Sequence, residues 1–253
     1  MEVYSDLCFI FALSMEKFAL ILLAAFTFTG HGTTAQNSQL FFDEADGLFA
    51  KHVMDGKVDY AAIKEDPDAL NSILKLAETT VVSPSSSKEY QAFWINAYNV
   101  FVIKGVVDNY PLRSPLDVEG FFKGVEYKAG GSSITLDAIE NKKLRGVFDE
   151  PRFHFVLVCG AKGCPPIISK AYTPRNLDEL LNQQTRKALN DPKFIRVGEN
   201  EVKLSEIFKW YEEDFVKGGS TLLEYINSFR KEKIHGDSRV SYYPYNWSLN
   251  SMD

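Results

Sequence analysis

Residues 92–107 read AFWINAYNVFVIKGVV, and this stretch decides the fold. Its only polar side chains are Asn96, Tyr98, Asn99 and Lys104. Apolar residues therefore surround the whole circumference of a helix, which makes it the buried axis of a domain rather than a surface helix with one apolar stripe. The sequence predicts this helix from about Ser87 to Asn109. Ser86-x-x-Glu89 ahead of it has the spacing of a capping box, and Pro111 helps to stop it. A buried asparagine whose amide bonds go unmade costs about 1–3 kcal/mol. Asn96 and Asn99 are accordingly expected to bind backbone groups of neighbouring loops. The other reading of this pair is that they orient a substrate or a catalytic imidazole.

On the N-terminal side, Gln39 to Val53 has the apolar spacing of an amphipathic helix, Asp55-Gly56 turns, and Val58 to Tyr60 is extended. A further helix is expected over Asp68 to Thr79. On the C-terminal side, Gly130-Gly131 lies between extended residues of Val125 to Thr135, the mark of a hairpin, and Leu136 to Arg145 follows as a short helix. Phe153 to Cys159 (FHFVLVC) is a nearly continuous apolar run of strand length, read as a central strand. Thr173-Pro174 opens a helix with proline at its first position, running to about Asn190. A second hairpin joins Phe194–Val197 to Glu201–Leu204, helices follow at Ser205–Phe215 and Thr221–Lys231, and Val240–Tyr243 forms a last strand. Helices and hairpins mix without a βαβ rhythm or a phosphate-binding glycine loop. The expected class is α+β, a single domain over residues 36–253 with a buried central helix on a small, mainly antiparallel sheet.

The chain of 253 residues has 28 basic and 34 acidic side chains, a net charge of −6, and no basic block. Nucleic-acid backbones require clustered Lys and Arg, so nucleic acid is not an expected partner. From Met15 the sequence shows a short charged start, an apolar run Phe18–Phe28 and small residues ending Thr33-Thr34-Ala35, the pattern of a secretory signal over residues 1–35 cleaved before Gln36. The apolar run falls short of the ~20 residues that span a bilayer, and Glu16 and Lys17 interrupt any longer span. The expectation is an exported, periplasmic or extracellular protein with Met15 as its true start and no transmembrane span once the signal is removed. Of three cysteines, Cys159 and Cys164 would survive this processing.

Several segments together resemble the family called domain of unknown function 547. They are Val58-Asp59-Tyr60, the 92–107 helix, GGSSITLDAIENKKLRG from Gly130, PRFHFVLVCGAKGCPPI from Pro151, AYTPRNLDELL from Ala171, LSEIFKWYEEDF from Leu204 and YYPYNWSLN from Tyr242. The resemblance implies little about chemistry. Some relatives carry the domain beside glutaredoxin-like or leucine-zipper segments, which hints at thiols or at interaction scaffolding. Three positions depart from the family pattern: Gly163 stands for a usual serine, Asn141 for a common histidine, and Asn246 for a typical aspartate. A catalytic role for that histidine or aspartate would leave this chain impaired.

The loop from Cys159 to Pro166 is the candidate site. Glycines 160 and 163 permit a tight excursion, and loops on rigid elements often carry sites. Three readings fit the thiols. A Cys159–Cys164 disulfide is sterically allowed, since the gap can bring the Cα atoms to about 5.5 Å, and an oxidising compartment favours it. Cys164 could instead be a nucleophile activated by a base and by Lys162. Inert thiols or a metal site complete the set, the metal disfavoured because Cys-x4-Cys has no second ligand pair nearby; no cofactor is called for. His154 is the tempting base, but five extended residues place it about 16 Å from Cys159. His52 is an alternative imidazole, more simply a helix-end surface residue. Glu140, Asp137 and Asn96 are candidates for the orienting group. A constellation of Cys164, His154 and Glu140 or Asn96 would support acyl transfer or hydrolysis on a small molecule or peptide, with backbone amides as oxyanion donors. The alternative is a non-catalytic envelope or interaction domain stapled by its two cysteines. Trp210, Tyr211, Phe215 and the aromatic YYPYNWSLN segment read as packing, with sugar stacking the second option.

Overall fold

Ser87–Asn109 is a helix over its full predicted length, and Phe93, Ile95, Ala97, Val100, Phe101 and Val106 on its different faces are all completely buried. The computed structural model describes residues 29–252; residues 1–28 of the expected signal segment lie outside them. The helices and strands are α1 (Thr29–His52), β1 (Val53–Met54), β2 (Lys57–Val58), α2 (Tyr60–Glu65), α3 (Asp68–Thr79) and the axial helix α4 (Ser87–Asn109). Then come β3 (Glu126–Ala129), β4 (Ser132–Thr135), and α5 (Leu136–Ala138), which widens into a π turn at Ile139–Leu144. The C-terminal part holds α6 (Leu177–Asn190), β5 (Ile195–Val197), β6 (Glu201–Ser205), α7 (Ile207–Trp210), α8 (Glu212–Phe215), α9 (Leu222–Phe229) and β7 (Arg239–Tyr243). The class is α+β. None of the described helices is long and apolar enough to cross a membrane.

The axial helix packs against α1, α2, α3 and the 136–144 segment, and Tyr127 of β3 stacks on Phe101 with ring centroids 4.7 Å apart. The expected sheet is divided into three small ones. Two are antiparallel hairpins, and in the third β6 pairs antiparallel with β5 and parallel with β7. At the β3–β4 turn both Gly130 and Gly131 have positive φ, as the type I′ two-residue hairpin requires. The capping box expected at Ser86 does not form; the Glu89 carboxylate accepts from Ser38 Oγ of α1 instead, at 2.6 Å.

The hydrophobic interior falls into two clusters, one around α4 and the other, mainly C-terminal, around Phe155, Phe208 and Phe215. Cys164 packs against both. The cysteine loop therefore lies at the seam of the two clusters.

Two further expectations change. The apolar run 153–159 is not a strand: Pro151–Phe155 is a 3-10 helix, started by the Glu150 side chain accepting from Arg152 N–H and by proline in the first turn. Beyond it, Asn99 of the axial helix substitutes for a neighbouring strand. Its Nδ2 donates to the Val156 carbonyl at 3.0 Å and its Oδ1 accepts from Val158 N–H at 2.9 Å. Asn96 does the same for Tyr172, donating to its carbonyl and accepting from its N–H at 3.0 Å. The helix expected from Thr173 starts one turn later, at Leu177, because Thr173 and Asn176 close a turn first.

His52 is buried, not a surface residue. Burial, with Lys51 adjacent, lowers its pKa from 6.5 despite the opposing charges of Asp59 and Asp66. The unfolded chain takes up this proton more readily, so stability is lost as pH falls from 6.5 through the lowered native value. A His52→Gln variant is expected to show a flatter melting temperature between pH 7 and 5 than the parent; equal slopes would contradict the assignment.

Candidate functional site

The site is built on the hydrogen-bond bracket of Asn99. With Val156 and Val158 fixed to the axial helix, Cys159 leaves at a defined point, and Gly160, at φ +80°, turns the chain over Pro115, Val102 and Val106. The C-terminal segment then runs antiparallel along the loop. Gly163 N–H donates to the Asn246 carbonyl, Lys162 N–H to that of Ser248, and Asn250 N–H to that of Gly160, at 2.8–2.9 Å. This strap brings Tyr245 and Trp247 to the cysteines.

No disulfide joins the two cysteines in the structure, and their sulfurs lie 2.6 Å apart. Cys164 Sγ also accepts from Cys159 N–H at 3.0 Å. The Tyr245 hydroxyl stands 2.9 Å from Cys164 Sγ and 3.1 Å from Cys159 Sγ. These contacts divide the pair. For Cys159, burial and the neighbouring Cys164 push the thiol well above its ordinary range. For Cys164, burial opposes ionisation, but the bonds from Cys159, Tyr245 and backbone N–H groups outweigh it and hold the thiol low. A low-pKa thiol beside a high-pKa one is an asymmetric nucleophile pair.

The two thiols border a cavity of about 400 Å³, within the size range of small-molecule sites. One wall is aromatic: Phe122, Trp210, Tyr245 and Trp247, with the Trp210 and Trp247 rings nearly parallel at 6.1 Å. Trp210 is 45% exposed. The lining also includes the polar side chains Lys123, Asp137, Glu140, Asn141 and Arg145, together with Tyr98, His154 and Tyr211.

His154 and both cysteines thus border one space, because the segment between them is coiled and not extended; the separation of about 16 Å along a strand does not apply. No imidazole is bonded to either sulfur among the described residues. His154 Nε2 instead donates to Asp214 Oδ2 at 2.8 Å, and its ring is stacked by Tyr211 at 4.1 Å. Asp214 also accepts from Arg145 Nε. Burial opposes the Asp214 charge, yet His154 and Arg145 hold its pKa well below the usual carboxylate range. Glu140 borders the cavity beside the Tyr211 hydroxyl. Asn96 is fully buried, spends its amide on Ala92 and Tyr172, and does not border the cavity. Tyr245 and Asp214, which sequence reasoning passed over, are 81 and 60 residues from the partners they meet, and no local pattern announces either.

The positions departing from the family pattern have local explanations in two cases. A Cβ on Gly163 would lie 2.8 Å from Tyr245 Cε2 and Cζ, so a serine there would displace that ring. Asn141 Oδ1 accepts from Arg145 Nη1 on the cavity wall.

The fold and cavity define a class: an α+β domain that presents two unequal thiols at the edge of an aromatic-walled pocket. Residues 82–189 match the family described as "Protein of unknown function, DUF547", and over this stretch the chain is similar to that family. The matched span includes Asn99, Glu140, Arg145, His154 and both cysteines, while Asp214, Tyr245 and Trp247 lie beyond it. No curated protein and no solved structure matches the chain.

Proposed function

We propose that this is an exported thiol enzyme whose Cys164–Cys159 pair exchanges with disulfides of a small molecule or peptide bound in the cavity. The observation that carries the reading is the 2.6 Å approach of the sulfurs with Cys159 N–H aimed at Cys164 Sγ. The Cys164 thiolate attacks one sulfur of a substrate disulfide; that S–S bond breaks, and the first substrate thiolate leaves and takes up a proton. Cys159 then loses its proton and attacks Cys164 Sγ in the mixed disulfide, expelling the second substrate thiol. The substrate gains two electrons and two protons, and the protein is left with a Cys159–Cys164 disulfide. The reverse sequence oxidises substrate thiols, and the direction follows the potentials of the two couples.

A second reading, acyl transfer by Cys164, is favoured by His154, which borders the same cavity and is bonded to Asp214 behind it. It needs the imidazole to reach the sulfur or the leaving group, whereas the disulfide exchange needs only groups already in contact.

Oxidised glutathione serves as the probe, with intact-mass detection. The reduced protein is expected to lose two hydrogens and release reduced glutathione. Cys159→Ser is expected to accumulate a glutathione adduct on Cys164, and Cys164→Ser to form none at a comparable rate. Failure of Cys159→Ser to trap an adduct overturns the exchange reading. A stable acetyl adduct on Cys164 from p-nitrophenyl acetate, without glutathione exchange, would replace it by acyl transfer. Inertness to both probes leaves the non-catalytic interaction domain.

A further inference from the structure

We infer that Tyr245 is a catalytic residue of the thiol pair, its hydroxyl donating to whichever sulfur carries the negative charge. The inference rests on the reading of Cys164 as the reacting thiol. The hydroxyl is nearly equidistant from the two sulfurs, 2.9 and 3.1 Å, whereas the backbone N–H of Cys159 serves Cys164 alone. During exchange the charge moves from Cys164 to a leaving thiolate and later to Cys159. A donor that reaches both sulfurs by rotating one O–H bond can follow it, and a fixed amide cannot.

The placement of the ring is supported on every side. Its backbone N–H donates to Glu206 Oε2 at 2.8 Å. Its ring centroid lies 5.1 Å from that of Trp210 and 4.7 Å from that of Trp247. Its face covers Gly163, where any side chain would intrude. Burial and the adjacent sulfurs push the phenol far above its ordinary pKa, so it stays protonated and remains a donor. A residue needed only for packing could be phenylalanine; the hydroxyl is the part that touches the reacting atoms.

The test is the pH dependence of Cys164 alkylation by iodoacetamide in the full chain, quantified at the Cys164 peptide, for the parent, Tyr245→Phe and Gly163→Ala. A hydrogen bond to a charged group contributes about 1.5–3 kcal/mol, and about 1.4 kcal/mol is one pH unit. Loss of the hydroxyl is therefore expected to move the midpoint up by about one to two units and slow Cys164 alkylation at neutral pH by about tenfold or more. Gly163→Ala keeps the hydroxyl but displaces the ring, and should shift the profile the same way by a smaller amount. A Tyr245→Phe profile superimposable on the parent, with the fold intact by circular dichroism, overturns the inference while the Cys164 reading stands. If Tyr245→Phe does not fold, Gly163→Ala decides: an unshifted profile overturns the inference. A parent profile with the midpoint of an ordinary thiol overturns both.

Discussion

Asp214→Ala is expected to lower the stability of the folded chain by about 3–5 kcal/mol, the usual result of removing one partner from a buried ion pair. Asp214 and Arg145 have side chains only 10% and 17% exposed, and Arg145 Nε donates to Asp214 Oδ2. The same oxygen accepts from His154 Nε2, while Oδ1 faces Lys217 at 3.5 Å. Without the carboxylate, the Arg145 guanidinium keeps Asn141, the face of the Tyr211 ring and Glu213, the last 80% exposed and 3.3 Å away. In a domain of this size such a loss lowers the melting temperature on the order of 10 °C. Asp66→Ala, which removes the exposed Lys51–Asp66 pair, is expected to cost less than about 1 kcal/mol. Urea titration of the two variants makes the comparison, and similar losses would mean that the 145–154–214 cluster is not a buried pair. The pH dependence has a definite sign. Because the native pKa is depressed, the contribution of Asp214 is fully present above its ordinary value of 3.8 and is lost as pH falls below that value. That loss begins at a lower pH than the loss expected for His52, which starts at 6.5.

The axial helix was legible because its pattern is extreme: sixteen residues with four polar side chains leave no face for water. The two asparagines were legible for the same reason, since a buried amide must find partners, and in the structure each holds a passing backbone on both its N–H and C=O sides. The Gly130-Gly131 hairpin was legible because only glycine readily supplies two consecutive positive φ angles. The run 153–159 misled because apolar length separates buried from exposed, not strand from coil. What decided its conformation was Asn99, more than fifty residues away. The cysteine loop itself was marked by its glycines and spacing, but its chemistry depends on Tyr245, and the polar wall of the cavity on Asp214. Both arrive through tertiary contacts, one on a C-terminal strap and the other on a four-residue helix, and neither has a local signature. The parallel pairing of β6 with β7 was hidden likewise, since alternation along a strand does not state the direction of its neighbour.

Asn99→Leu is expected to cost about 2–6 kcal/mol and, in whatever fraction folds, to erase the difference in reactivity between the two thiols. Leucine has the same branched side-chain skeleton and keeps the helix, but leaves the Val156 carbonyl and the Val158 N–H without the partners they have in the parent. Each such loss in a buried site costs about 1–3 kcal/mol, and the two add only if the segment does not shift to find new partners. A shift is the more informative outcome, because Val158 is the residue before Cys159 and the Cys159 N–H is a donor to Cys164 Sγ. Movement of that N–H removes one of the bonds that hold the Cys164 thiol low, so its alkylation midpoint should rise even where the fold survives. Asn99→Asp separates the two effects. It retains an acceptor for Val158 N–H but loses the donor to Val156 and buries a charge, so it should be at least as destabilising as leucine and yet perturb the thiols less per unit of stability lost. Asn96→Leu is the matched control, since Asn96 brackets Tyr172 and not the cysteine segment. It should destabilise by a similar amount and leave the Cys164 alkylation profile of the folded fraction unchanged. An equal shift from both asparagine variants would mean that the bracket at Asn99 supports the whole interior and not the thiol pair in particular.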